Sequence, residues 1–251
     1  MDFQLSEEHQ MIQQAARDFA QNECLPGVVE RDEKMQFPRE QVMKLADLGF
    51  LGMMVSPEYG GAGLDTVSYV LAMEEISKID ASTSVCMSVN NSLVCYGLEA
   101  YGTEEQKQKY LVPLARGETL GAFCLSEPQA GSDATNQKTR AAENGEHFIL
   151  NGTKSWVTNG GVAGVYLVMA VTGEGDGKKE ITAFLIDGDA EGLKVSSVEH
   201  KLGQRASQTT ELSFTDARVA KENLLGNLGE GLRVALDFIR RHSRAANGRI
   251  A

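Results

Sequence analysis

The periodicity of the sequence changes within Gly117-Glu118-Thr119-Leu120-Gly121-Ala122-Phe123-Cys124-Leu125. Before Gly117, apolar residues recur with the spacing of amphipathic helices. After Leu120, short apolar and β-branched runs alternate with turn residues, which is typical of strands. After Gly226 the pattern turns helical again, so the helical and strand patterns occupy separate stretches of the chain and are expected to form separate layers. We predict an α+β fold, with an N-terminal α-helical bundle followed by an antiparallel β-barrel domain and the start of a C-terminal helix.

On the N-terminal side of Gly117, sequence signals for helix starts occur repeatedly. Ser6 is a predicted N-cap, because two glutamates follow it in the first turn. Asp65 opens another predicted helix, and Thr103 begins a capping box. The stretch 81–101 is small or apolar nearly all round, so we expect a central helix covered on several sides. We assign the N-terminal helical domain to residues 1–118.

Working toward the C-terminus, the residue types indicate a β domain. Six strands are predicted, at residues 121–125, 147–150, 165–171, 181–186, 193–198 and 210–214. Turn clusters such as Asn151-Gly152 separate them, and no helical pattern intervenes. The strands are therefore expected to pair as an antiparallel barrel or sandwich and not as a doubly wound sheet. We assign this middle domain to 119–228 and the start of a truncated C-terminal helical domain to 229–251.

Composition and charge exclude several classes of function. The chain has 24 basic and 35 acidic residues, a net charge of −11, which argues against binding to nucleic acid or to an anionic membrane. No apolar run reaches the ~18 residues of a membrane span, and the N-terminus is polar, so we expect a cytoplasmic or organelle-matrix protein. The cysteines form no C-x-x-C pair, and phosphate-loop, serine-hydrolase and zinc-protease motifs are missing. We predict no metal site.

Two segments could carry a ligand. Residues 123–133 run from a strand into a loop with hydroxyls and free backbone N–H groups, which could cradle a phosphate or the polar edge of a ring; a tight strand-to-strand turn is the alternative. Residues 151–161 contain the only tryptophan, Trp156, and a strand would place Thr158 on the same face. An indole beside a hydroxyl suits an aromatic ligand, and a half-buried structural tryptophan is the alternative.

Taken together, and in this order, the two segments resemble the flavin-binding motifs of the acyl-CoA dehydrogenase family. Further matches to that family are Tyr59-Gly60-Gly61-Ala62-Gly63, Gly102-Thr103-Glu104-Glu105-Gln106-Lys107, Lys201-Leu202-Gly203, Ser207-Gln208-Thr209-Thr210-Glu211-Leu212 and Gly229-Glu230-Gly231. The resemblance covers residues 1 to about 236. It implies a helical domain, a middle β domain and a C-terminal four-helix domain, and this sequence shows no counterpart of the last one.

The resemblance implies FAD as the cofactor. The implied binding residues divide into those lining the flavin ring (Phe123, Leu125, Ser126), those at the FAD pyrophosphate or the CoA side of the cleft (Gly131, Ser132), one covering a ring face (Trp156) and one bonded near flavin N5 (Thr158). Ser132 is also the implied substrate contact. Fixed hydrogen-bond donors at the ring edge would stabilise the charge that a reduced flavin carries.

The implied reaction is α,β-dehydrogenation of a short- or medium-chain acyl-CoA thioester, with electrons passed to an electron-transferring flavoprotein. The full-length family protein is expected to be a homo-oligomer. The base of this reaction is a glutamate of the C-terminal domain, so no catalytic residue is assigned here; if the chain proved active, Glu127 and Glu75 would be the first acids to test. An oxidase is one alternative, and a non-catalytic FAD- or acyl-CoA-binding or assembly fragment is another.

Overall fold

The computed structural model describes residues 4–246, with side chains through residue 240. A helical layer is followed by one sheet and then by a final helix, which confirms the predicted α+β fold. The helices are α1 (Glu7–Phe19), α2 (Val28–Glu33), α3 (Arg39–Asp47), α4 (Thr66–Ser77), α5 (Ala81–Ser88), α6 (Tyr96–Tyr101), α7 (Glu104–Gln106), α8 (Val112–Ala115) and α9 (Gly231–Ala246). The domain boundaries 1–118, 119–228 and 229–251 stay predictions, and residues 247–251 lie outside the described part.

The helix starts follow the capping signals. The Ser6 hydroxyl accepts the His9 N–H at 3.1 Å, and the Asp65 carboxylate accepts the Ser68 N–H at 2.8 Å. Thr103 forms its predicted capping box. Three helices continue through π-helical turns, at Ala20–Cys24, Val89–Cys95 and Lys107–Leu111. The predicted central helix 81–101 is therefore continuous, although its middle third is wound as a π-helix. None of the helices in residues 4–246 has the length and apolar character needed to cross a membrane.

Glu75 on α4 ties this helix to α1. Its buried carboxylate accepts hydrogen bonds from Arg17 at 3.1 and 3.2 Å, from Lys78 at 2.8 Å and from Gln13 at 3.1 Å. The hydrogen bonds from Arg17 outweigh the opposing effect of burial, and Lys78 adds to them, so the pKa of Glu75 falls to about 2. The carboxylate is therefore ionised in the folded chain at all pH values above that range.

We expect Glu75→Gln to destabilise the fold at pH 7 by about 1–2 kcal/mol, a figure discounted because solvent reaches both cations. The folded pKa of Glu75 is depressed below its usual value, so its stabilisation is fully present above about pH 4.3 and is lost as pH falls toward 2. Urea unfolding of both proteins at pH 7 and pH 3 checks this. An equal difference in unfolding free energy at the two pH values would contradict it.

The β domain is one eight-stranded, mostly antiparallel sheet. Its strands are β1 (Gly121–Cys124), β2 (Arg140–Asn144), β3 (His147–Thr158), β4 (Val165–Gly175), β5 (Lys178–Asp187), β6 (Leu193–Val198), β7 (Thr209–Ala220) and β8 (Leu224–Leu225). The order is β6-β7-β3-β2-β4-β5-β8, and β1 pairs with β4. All six predicted strands are present, but the predicted turn at Asn151-Gly152 is wrong. Both residues lie inside β3, where the chain continues through a register shift between Leu150 and Gly152. The β1–β4 pairing and a single β2–β4 contact are parallel, which is the departure from the predicted antiparallel pairing.

Buried polar contacts fix the sheet against the central helix. Asn90 accepts the N–H of Gly121, the first residue of β1, at 2.9 Å and donates to the Leu51 carbonyl at 2.9 Å. On α9, Phe238 is fully buried, and its ring centroid lies 5.9 Å from that of Phe123. β1 therefore contacts the central helix at its first residue and α9 through Phe123.

Candidate functional site

A cavity of about 230 Å³ opens where these elements meet. Its walls are Val89, Leu93, Phe123, Leu125, Ser126, Ser155, Trp156, Thr158 and Ile239. Five of the seven predicted cofactor residues are among them, so the fold brings the two ligand-binding segments together although 30 residues separate Ser126 from Trp156. The arrangement is consistent with the predicted flavin site, but the assignment of individual roles stays a prediction.

The first segment reaches the cavity through β1. This strand runs parallel to β4, with Phe123 opposite Leu167. Just beyond its end, the Ser126 carbonyl accepts the Ser155 N–H at 2.9 Å, a bond that joins the two segments directly. Leu125 and Ser126 are half-buried, so their surfaces remain available to a ligand.

Trp156 lies in a β-bulge of β3. The register with β7 shifts between Lys154 and Val157, and Trp156 adopts a φ of 61°, in the left-handed region that bulky residues avoid. Such a conformation costs on the order of 1–3 kcal/mol and persists only where the surroundings enforce it. Val157 is fully buried, whereas the Trp156 side chain is 62% exposed. The bulge thus places the Trp156 side chain at the cavity beside Thr158, through a break in the strand register and not through the simple strand alternation that the sequence predicts.

Helical residues form the rest of the wall. Val89 and Leu93 lie one turn apart on the π-helical segment of the central helix, and Ile239 comes from α9. Sequence reasoning missed all three, because apolar residues at helical spacing look like ordinary core. One signal could have identified Val89 and Leu93. Residues 81–101 are nearly all apolar, so the helix has more apolar surface than the other helices need to cover, and part of that surface can line a cavity.

Gly131 and Ser132 do not line the cavity. Both are exposed on the loop that follows Glu127, and a Cβ built on Gly131 would meet nothing within 4 Å. Their predicted contacts with the FAD pyrophosphate or with CoA therefore concern ligand parts that extend beyond the cavity. These two assignments stay predictions.

A buried ion pair lies directly behind the cavity wall. The Lys154 ammonium is completely buried and donates to Glu127 Oε1 at 2.8 Å, to Gln137 Oε1 at 2.8 Å and to the Leu125 carbonyl at 3.1 Å. An ammonium group has three donors, and each finds an acceptor here. Burial lowers the pKa of Lys154, and the neighbouring Glu127 carboxylate opposes that effect. The three acceptors match the charged form of the side chain.

The Glu127 carboxylate is equally well bonded. It also accepts the Lys138 N–H at 2.6 Å and the Thr139 N–H at 3.1 Å. Burial acts to raise its pKa, but the Lys154 ammonium and these hydrogen bonds outweigh burial and hold the pKa below its usual range. Glu127 is therefore committed to an ion pair, as Glu75 is on α4, and neither of these acids is free to act as a base.

The chemistry of the walls favours binding over proton transfer. The described residues around the cavity include three hydroxyls, Ser126, Ser155 and Thr158, and no carboxylate, imidazole or amine. The volume is below the ~300–1,000 Å³ usual for whole ligands, so the cavity fits one ring system and not an entire dinucleotide. A flat indole, a second aromatic side chain at Phe123 and nearby hydroxyls match a planar heterocycle with polar edges. The residues therefore fit a flavin ring.

Comparison with known proteins places this arrangement in a family. Residues 6–118 match the profile of the acyl-CoA dehydrogenase N-terminal domain, and residues 122–217 match that of the acyl-CoA dehydrogenase middle domain. The chain belongs to the acyl-CoA dehydrogenase family. The resemblance read from the flavin motifs is thereby confirmed.

Individual members of the acyl-CoA dehydrogenase family are similar to this chain in both sequence and fold. A short-chain-specific acyl-CoA dehydrogenase of Clostridium acetobutylicum is 47% identical over 94% of this chain and 62% of its own length. The butyryl-CoA dehydrogenase of Megasphaera elsdenii superposes with a TM-score of 0.94 at 40% identity, over 98% of this chain and 65% of its own. An FAD-complexed acyl-CoA dehydrogenase of Bacillus anthracis gives 0.88 at 38% identity, over 96% and 41%. The chain thus spans less than two thirds of the length of these relatives.

Proposed function

We propose that this chain forms the flavin-binding part of an FAD-dependent acyl-CoA dehydrogenase. The observation that carries the proposal is the convergence of Phe123, Leu125, Ser126, Trp156 and Thr158 on one cavity. The proposed reaction is α,β-dehydrogenation of an acyl-CoA thioester. The relative complexed with FAD supports the choice of cofactor.

In this proposal, the side chains of the chain bind and orient the ring. The exposed indole of Trp156 stacks on one face, which supplies affinity without using hydrogen bonds. The hydroxyls of Ser126 and Thr158 donate to the polar edge, where fixed donors stabilise added negative charge. When bound, FAD supplies the acceptor for the hydrogen removed from the β-carbon.

We further propose a short- or medium-chain acyl group, an electron-transferring flavoprotein as electron acceptor and a homo-oligomer for the full-length protein. The Clostridium and Megasphaera relatives, named for short-chain substrates, support a short acyl group. The proposed compartment is the cytoplasm or an organelle matrix.

The cavity walls also support a second candidate function. Because no acid or histidine is among the described lining residues, the chain on its own could be a non-catalytic FAD- or acyl-CoA-binding fragment. The two candidates share the binding step and differ in turnover. Turnover with butyryl-CoA, measured on the chain loaded with FAD, separates them.

FAD titration of tryptophan fluorescence tests the binding step. Trp156 is the only tryptophan, so stacked flavin is expected to quench essentially all tryptophan emission at saturation. Trp156→Ala should weaken FAD binding, measured by equilibrium dialysis, by ~1–3 kcal/mol. Leu202→Ala, which shortens a fully exposed side chain outside the cavity, is the control and should bind as the unaltered chain does. Unchanged emission at saturating FAD would refute the site.

A further inference from the structure

The Glu127–Lys154 ion pair is placed where it contacts both cavity-lining segments. Glu127 directly follows Leu125 and Ser126, and Lys154 comes two residues before Trp156. The pair is buried, with an N–O distance of 2.8 Å, although neither side chain lines the cavity. Since neither charged side chain reaches the cavity, the pair cannot contact a ligand there. Any role that it has in binding must act through the residues that line the cavity.

A hydrogen bond from Lys154 helps to fix the backbone position of the first segment, residues 123–133. Its ammonium donates to the carbonyl of Leu125, a residue that lines the cavity. The next carbonyl, that of Ser126, accepts the N–H of Ser155. Two consecutive carbonyls of the first segment are thus bonded to two consecutive residues of β3. The first segment cannot shift along β3 without breaking both bonds.

The same pair lies beside the β-bulge of the second segment, residues 151–161. Trp156 keeps its left-handed φ between Ser155, whose N–H is bonded to the first segment, and the fully buried Val157. Lys154, the last residue paired with β7 before the register shift, anchors the strand on the other side of Ser155. Because tryptophan disfavours a left-handed φ, the conformation of Trp156 requires neighbours on both sides that are held in place.

A buried ion pair is a weak source of stability, because desolvation of two charges offsets their attraction. Residues of similar volume without charge would fill the same space. What the charged pair adds is direction: three donors aimed at three acceptors, one of them the Leu125 carbonyl. The geometry is therefore better explained by positioning of the wall than by stability.

We propose that Glu127 and Lys154 are positioning residues that hold the Leu125–Ser126 backbone and the Trp156 bulge in the geometry that binds the flavin ring. This inference rests on the proposed function. It assigns a role to two residues that do not touch the cofactor, and it predicts that the cavity loses affinity when their charges are removed even if the fold is preserved.

The test compares the unaltered chain with the double variant Glu127→Gln/Lys154→Met. A glutamine whose carbonyl oxygen takes the place of Oε2 still accepts the Lys138 N–H and the Thr139 N–H, both of which reach that oxygen in the unaltered chain. Removing both charges also avoids an unpaired buried ion. We expect the double variant to retain a cooperative unfolding transition but to bind FAD 10–100-fold more weakly, the range found for outer partners of metal ligands. Lys201→Met, which changes a lysine of the 199–208 loop outside the cavity wall, is the control and should keep full affinity.

A second readout does not depend on FAD. Hydrogen–deuterium exchange at the Ser155 amide, which bonds to the Ser126 carbonyl, should be faster in the double variant than in the unaltered chain. If the unaltered chain fails to bind FAD, the proposed function fails, and the exchange rates still decide whether the pair positions the wall. Unchanged affinity together with unchanged exchange in the double variant would overturn the inference.

Lys154→Arg covers the case in which the double variant does not fold. A guanidinium keeps the positive charge, but its planar fork cannot reproduce three bonds made from one nitrogen. We expect this variant to fold and to show weaker FAD binding with faster Ser155 exchange. A folded variant with unaltered affinity and exchange would contradict a positioning role.

Discussion

Lys154→Met alone is expected to lower the free energy of unfolding at pH 7 by about 3–5 kcal/mol, the usual cost of leaving one buried charge unpaired. Lys154 is completely buried, and its removal leaves the Glu127 carboxylate without its counter-ion. Backbone N–H groups from Lys138 and Thr139 would remain to bond that carboxylate, so the fold should survive with reduced stability. Equilibrium urea unfolding measures the loss.

The pH dependence of this loss has a definite sign. In the unaltered chain the pKa of Glu127 lies below its usual range, so its stabilisation is present above about pH 4.3 and is lost as pH falls through the lower folded pKa. Without Lys154, burial raises that pKa, and the variant should be least impaired near pH 4, where the carboxyl is protonated. The double variant with Glu127→Gln should recover much of the stability at pH 7. A loss below 1 kcal/mol in Lys154→Met would contradict the account.

The second large effect concerns turnover. The chain loaded with FAD is expected not to reduce an artificial electron acceptor with butyryl-CoA, because no described residue of the cavity wall is an acid or a histidine. General-base catalysis alone is worth ~10²–10⁴-fold, and Glu127 and Glu75 are both held in ion pairs. The Clostridium relative, assayed in parallel, provides the positive control.

Turnover by the 251-residue chain at the rate of that relative would refute this expectation. Glu127→Gln and Glu75→Gln, each shown to be folded and compared with the unaltered chain at equal FAD occupancy, would then show whether either acid had become the base. Absence of turnover with tight FAD binding would favour the non-catalytic binding fragment as the description of this chain by itself. Absence of both binding and turnover would reject the proposed function.

Local signals were sufficient to predict much of the fold. The caps at Ser6, Asp65 and Thr103 place three helix starts, since an N-cap depends on residues within one turn of it. Strand β2 was missed because only Ala141 of its five residues is buried, which leaves no alternation to detect. The parallel pairing of β1 with β4 was also missed, because it depends on contacts 44 residues apart, as between Gly121 and Val165.

The candidate site was predictable only in part. The sequence predicts Phe123, Leu125, Ser126, Trp156 and Thr158 because their segments resemble family motifs, and all five line one cavity. The left-handed conformation of Trp156 could not be predicted, because a bulky residue disfavours it and the register shift that accompanies it depends on how β3 pairs with β7. Lys154 lies in the same segment, yet a lysine in a strand is ordinarily exposed, and only the fold shows that it is buried.

The central claim is that this cavity binds the flavin ring. A crystal structure of the chain, from crystals grown with saturating FAD, tests it most directly. We expect the flavin ring inside the cavity, with its face on the Trp156 indole and its polar edge within hydrogen-bonding distance of the Ser126 and Thr158 hydroxyls. A ring bound elsewhere on the chain, or density for FAD that leaves the space between Phe123 and Trp156 empty, would contradict it.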